Sequence, residues 1–118
     1  MTRLESLGKL ISVELRDAAL NHYLDIESGF SSAPVNRALY EEVKCLRDSD
    51  RLIIRKLITA SIDAGIHDFL FALNEKQGGI EVLVDGEGAA ELSDGLQGEP
   101  FTEDGWFEKY SQHKESGI

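Results

Sequence analysis

Cysteine, proline and long apolar stretches are all scarce in this chain of 118 residues, which has one cysteine and two prolines. The lone Cys45 excludes an intramolecular disulfide and suits a reducing, cytoplasmic location. The longest apolar run, 69–73, has five residues, whereas a helix needs about 20 to span a bilayer. A glutamate and a lysine interrupt residues 1–9, so we expect no secretory signal.

Basic residues are also few. The chain has 12 Lys and Arg against 22 Asp and Glu, which gives a formal net charge of -10. Sequence-independent binding to nucleic acid or to an anionic membrane needs a surplus of basic side chains to meet phosphates. The charge balance therefore argues against both and favours a basic protein partner.

The remaining composition is that of an ordinary globular protein, with 42% hydrophobic and 29% charged residues. We expect a single domain over 1–118, since this length is enough for one core. The charge is unevenly distributed within it: residues 1–77 contain 10 basic and 12 acidic side chains, and residues 78–118 contain 2 and 10. The acidic part also holds eight of the eleven glycines.

The first part of the chain has helical periodicity. Apolar residues recur at three- and four-residue steps and predict one long helix that ends before Gly29. The face comprises Leu4, Leu7, Ile11, Leu15, Ala18 and His22, and it is widened by Leu10, Val13, Leu20 and Leu24. The sequence 31–34, Ser-Ser-Ala-Pro, predicts a hydroxyl N-cap and a first-turn proline for a second helix. Its inner face is predicted at Val35, Leu39, Val43 and Leu46.

A third helix is predicted after the break at 48–50, and its apolar residues from Leu52 to Ile62 surround more than half of the helix. We expect it to be the most buried element. Gly65 interrupts the pattern, and the favoured interpretation is a new short helix reaching about Lys76. Continuation with a kink and a buried strand at 69–73 are the alternatives.

The pattern changes after residues 78–79. Alternating apolar residues from Ile80 to Val84, followed by Asp85-Gly86, predict a hairpin whose weaker second strand is 89–92. Aromatic residues near position 106 predict a short helix or turn. The predicted fold class is α+β, with three to four helices forming most of the core, followed by the hairpin and the aromatic C-terminal element.

No catalytic residue is predicted. The sequence has no nucleophile elbow, no Walker-type lysine and no Gly-x-Gly-x-x-Gly, so no cofactor is expected and enzymatic activity is disfavoured. One alternative is a transition-metal or ligand site, formed if the first and third helices bring two His/Asp pairs together. Its ligands would be His22, Asp25, Asp63 and His67.

The preferred functional hypothesis uses the acidic last third, where carboxylates and large apolar groups alternate. Aromatic anchors with surrounding carboxylates are typical of interfaces with basic proteins. The candidate interface comprises Glu99, Phe101, Glu103, Asp104, Trp106, Glu108 and Tyr110. The competing interpretation is that these aromatics cover the core and leave the acids in solvent. We expect an inhibitor-like or immunity-like protein-binding module, and the apolar helical surface also offers a homodimer.

Overall fold

The computed structural model describes residues 1–118 and has the predicted α+β architecture: mostly helical, with one small hairpin and a short C-terminal helix. No helix is long and apolar enough to cross a membrane. The helices are α1 (Arg3–Leu10), α2 (Ala18–Ser28), α3 (Pro34–Val43), α4 (Asp48–Asn74) and α5 (Trp106–Tyr110), and the strands are β1 (Leu83–Val84) and β2 (Glu87–Gly88). A π-helical segment, Ile11–Asp17, links α1 to α2.

Together α1, the π-helical segment and α2 form the predicted long first helix, 3–28, which ends as predicted. Gly29 follows α2 in the left-handed conformation with φ 75°, and its amide donates to the carbonyl oxygen of Ile26 at 3.1 Å. Glycine adopts this conformation without the steric cost that a side chain brings. The helix therefore stops where the sequence indicates.

The predicted apolar face of this helix is wrong beyond Ile11. Leu15 is 46% exposed and His22 is exposed, whereas Arg16, outside the predicted face, is fully buried; Leu20, at the edge of that face, is buried as well. The π-helical segment explains the difference, because its wider turns rotate all later residues relative to a regular α-helix. Residues spaced by four thus stay on one side across the segment, and the buried set is Gly8, Ser12, Arg16 and Leu20.

Helix α3 packs more loosely than predicted. Pro34 occupies its first turn, but Ala33 is the N-cap residue, so the predicted hydroxyl cap is absent; Ser31 instead accepts a hydrogen bond from Asn36 at 2.9 Å. No residue of α3 is buried, and Val35 is 73% exposed. The predicted inner face is therefore wrong, since α3 packs mainly on α2, where its Tyr40 ring lies against Gly29.

Helix α4 runs unbroken for 27 residues, so the favoured break at Gly65 is wrong, and so is a strand at 69–73. Nothing lies within 4 Å of the position where a Cβ on Gly65 would stand. At about 1.5 Å per residue the helix is about 40 Å long, most of the 48 Å length of the molecule. Its burial is uneven: Ile66, Leu70 and Leu73 are buried, whereas the first half exposes most of its apolar residues.

The hairpin forms at the predicted turn. Leu83 pairs with Gly88 and Val84 with Glu87, and Asp85 and Gly86 between them both have positive φ, as a tight two-residue hairpin turn requires. The second strand is shorter than predicted and lies earlier, since Ala89–Leu92 forms a 3₁₀ helix. This segment and the turn Leu96–Gly98 lead the chain across the second half of α4.

Candidate functional site

The acidic last third is attached to the helices by its aromatic residues. Trp106 is 4% exposed and Phe107 is fully buried, and both belong to the core cluster that includes Leu70 and Leu96. Large aromatic side chains contribute much of the burial in such a core. Trp106 is therefore a core residue rather than an exposed interface anchor.

A close backbone approach holds Trp106 in place. A Cβ on Gly8 would stand 2.5 Å from the Trp106 ring, so only glycine fits at this position of α1. Ser12, one turn later, donates from its Oγ to the carbonyl oxygen of Gly8 at 2.7 Å and is 3.3 Å from that of Trp106. The last third is thus fixed to the first helix.

The other two predicted aromatic anchors are partly buried. Phe101 and Tyr110 both pack against the core cluster. The Phe101 ring meets the Phe107 ring edge-on with centroids 5.3 Å apart and lies 6.0 Å from the His67 ring. Phe101 thus holds the loop 101–104 beside the second half of α4.

The predicted interface carboxylates fall into two groups. Glu99 is half-buried and accepts a hydrogen bond from Ser93 Oγ at 2.8 Å, and Glu108 accepts one from the Glu115 amide at 3.2 Å. Glu103 and Asp104 are exposed and form neither an ion pair nor a side-chain hydrogen bond. Only the second group has no side-chain partner within the chain.

One further free carboxylate lies nearby. Asp94 is exposed and, with Glu99 and Thr102, lines a shallow polar depression. Asp94, Glu103 and Asp104 are hereafter the acidic loop surface. No lysine or arginine occurs between residues 77 and 108, so no basic residue of this segment neutralises it.

Three of the acids around the hairpin form ion pairs, whereas Asp85 in the turn is exposed and forms none. Lys76 forms ion pairs with Glu91 and, at 3.9 Å, with Glu81, and Arg3 pairs with Glu87 at 3.4 Å. The hydrogen bond with Glu91 raises the pKa of Lys76 above its usual value. The hairpin side of the last third is therefore less available to a cationic partner than the acidic loop surface.

Sequence reasoning missed a fully buried arginine. Arg16 donates through Nε and Nη2 to the two carboxylate oxygens of Asp63 at 2.8 and 3.0 Å. It also donates to Ser111 Oγ at 3.2 Å and to the backbone carbonyl oxygens of Lys114 and Glu115. The guanidinium lies 4.1 Å from the Phe107 ring centroid, a cation–π arrangement.

Asp17 extends this network. Its two carboxylate oxygens accept from Ser111 Oγ at 2.5 Å and from the Gln112 amide at 2.7 Å. Together with Arg16, it ties segment 111–118 to the first helix and to α4. The four-residue spacing of Gly8, Ser12 and Arg16 is the sequence signal for this network, but a search for an apolar face does not detect glycine, serine and arginine.

The predicted metal quartet does not assemble. Asp63 is bound to Arg16, His67 is 3.1 Å from Asp68, and His22 and Asp25 are exposed on α2. No group of three or more His, Cys, Asp or Glu residues is arranged to hold a metal ion. The four side chains are not brought together, because Arg16 occupies the Asp63 carboxylate and His67 lies beside Asp68 instead.

Comparison with known proteins found no matching family model, no similar curated protein and no matching solved structure.

Proposed function

We propose that this protein is a non-enzymatic binding module, inhibitor-like or immunity-like in mode, whose acidic loop surface contacts a basic protein in the cytoplasm. The observation that supports this most is the exposure of Asp94, Glu103 and Asp104 without ion pairs. Around the hairpin, Glu81, Glu87 and Glu91 are paired, and Asp85 is a single exposed acid rather than part of a group. Unpaired carboxylates keep their full attraction for an external cation.

The attachment of the loop supports the same function. Phe101, Trp106 and Phe107 hold the loop from within the core, so little conformational freedom remains to be lost on binding. A rigid group of like charges raises the association rate of an oppositely charged partner and fixes its orientation. The aromatic residues therefore position the site without contacting the partner directly.

Charge reversal on the loop tests the proposal. The full chain, immobilised, would be used to capture basic proteins from a lysate of the source cells, and each captured protein would be purified and titrated. We expect Glu103→Lys with Asp104→Lys to slow association with that partner at least about tenfold, and raising the salt concentration to reduce the rate for the wild type.

A matched control separates the loop surface from total charge. Glu14→Lys with Asp25→Lys also changes two exposed acids on the outside of the first helix, and both double variants carry a net charge of -6 instead of -10. The control should bind like the wild type apart from a small uniform effect. Equal loss in both variants, or no loss in the loop variant, would refute the proposed site.

A further inference from the structure

Helix α4 exposes an apolar strip on the side away from its own core. Ile53, Leu57 and Phe71 on this side are 57%, 60% and 42% exposed. The residues of the strip follow one another at steps of four, three, four, three and four, the spacing at which a helix meets another helix in a coiled coil. The α4 strip comprises Ile53, Leu57, Ala60, Ala64, His67 and Phe71, all of which are exposed.

We propose that the α4 strip is a homodimer interface in which the same strip of a second copy packs antiparallel to it. A two-fold interface brings each patch against itself, so like charges within the patch would repel. The strip contains no Lys, Arg, Asp or Glu in a chain whose net charge is -10. A second copy therefore meets no like charge there.

Two copies of the strip also complement each other in shape when their helices run antiparallel. With the two-fold axis beside Ile62, Ile53 lies opposite the partner's Phe71, and Leu57 lies opposite the partner's His67. Ala60 lies opposite the partner's Ala64 at the centre, where small side chains let two helices approach closely. Larger side chains then fill the interface toward both ends.

The position of the acidic last third favours the antiparallel orientation. This part packs on the second half of α4, around Leu70. A parallel pair would place the two acidic parts at the same level along the helix axis, with no axial separation. In the antiparallel pair the two Leu70 positions lie about 24 Å apart along the axis, roughly three Debye lengths at physiological salt.

Sedimentation equilibrium of the full chain over a range of concentrations tests the dimer. We expect a monomer–dimer equilibrium, and Leu57→Glu should raise the dissociation constant at least about 100-fold, since each dimer contains two copies of the substitution. Leu52→Glu is the matched control: Leu52 is 57% exposed on the same helix but lies outside the strip, so its variant should dimerise normally. A monomeric wild type, or equal effects of the two substitutions, would overturn the proposal.

Cysteine crosslinking tests the orientation. In a Cys45→Ser background, Ser61→Cys places thiols near the two-fold axis, and we expect a covalent dimer on mild oxidation. Ile53→Cys places the two thiols about 27 Å apart in the antiparallel pair but opposite each other in a parallel one. Crosslinking at 61 alone supports the proposal. Crosslinking at 53, or at neither position, overturns it.

Discussion

Removal of the Asp63 carboxylate should be among the most damaging single changes to this protein. Asp63→Ala leaves the Arg16 guanidinium in place, fully buried and without its direct ion-pair partner. Breaking a buried ion pair in this way typically costs about 3–5 kcal/mol, because a charge remains in a poorly solvated position. The other acceptors of Arg16, Ser111 Oγ and two carbonyl oxygens, do not neutralise the charge.

The structure indicates the lower end of that range. The Asp63 side chain is 20% exposed, so water can reach the guanidinium once the carboxylate is gone. We therefore expect a loss of about 3 kcal/mol from a total unfolding free energy that is typically about 5–15 kcal/mol. The melting temperature should fall by about 10 °C in a chain of this length.

Arg16→Met is the informative companion variant. It removes the buried charge and fills similar volume with apolar atoms, while the remaining Asp63 carboxylate can be partly hydrated. Its cost should be smaller, about 1–2 kcal/mol. The double variant should be no less stable than Asp63→Ala alone, because the buried guanidinium that Asp63 pairs with is no longer present.

Urea unfolding at neutral pH measures these differences. The single tryptophan, Trp106, is buried in the core, so its fluorescence reports loss of the fold directly. An Asp63→Ala cost under about 1 kcal/mol would refute the assignment of a buried charge pair. Additive losses in the double variant would refute it as well, since they would mean that the two side chains act independently.

Two glycine variants probe the packing of the first helix and of α4. Gly8→Ala should destabilise the fold by about 1–2 kcal/mol despite the better helix propensity of alanine, because the added methyl meets the Trp106 ring. Gly65→Ala has open space around the added methyl and should stabilise the fold by about 0.5–1 kcal/mol. Equal urea midpoints for the two variants would contradict these expectations. Burial, reinforced by Glu27, raises the pKa of Tyr23 above its usual 10.0. The folded state therefore keeps the Tyr23 proton after the unfolded chain has lost it, so stability should fall as pH rises above about 10. Tyr23→Phe should reduce the fall in the urea midpoint between pH 9 and pH 11. An unchanged fall would show that Tyr23 does not cause it.

The order of elements followed from the sequence because the local patterns were strong. The glycine at 29 and Asp85-Gly86 have conformational preferences that hold in almost any context, and both form the predicted boundary or turn. Gly65 shows the limit of such reasoning. Its helix-breaking tendency is worth only about 1 kcal/mol, which the packing of Ile66 and Leu70 easily outweighs.

The attachment of the last third was less predictable because it depends on an irregular helical segment and on contacts between residues far apart in the sequence. The π-helical segment changes which side of the first helix faces inward, and periodicity analysis assumes a constant turn. Burial of Arg16 then depends on Asp63 and on residues 111–115, which lie far away in the sequence. Local pattern analysis can detect neither partner.

The two proposals are linked by the geometry of α4. In an antiparallel pair related by a two-fold axis, the same flank of each helix lies on the same side of the dimer. His67 and the Phe101 loop beside it occupy one flank, so the two acidic loop surfaces would lie on a common side. Such a dimer would present two equivalent acidic sites, and a basic partner that is itself two-fold symmetric would bind both at once, with an affinity above that of either site alone.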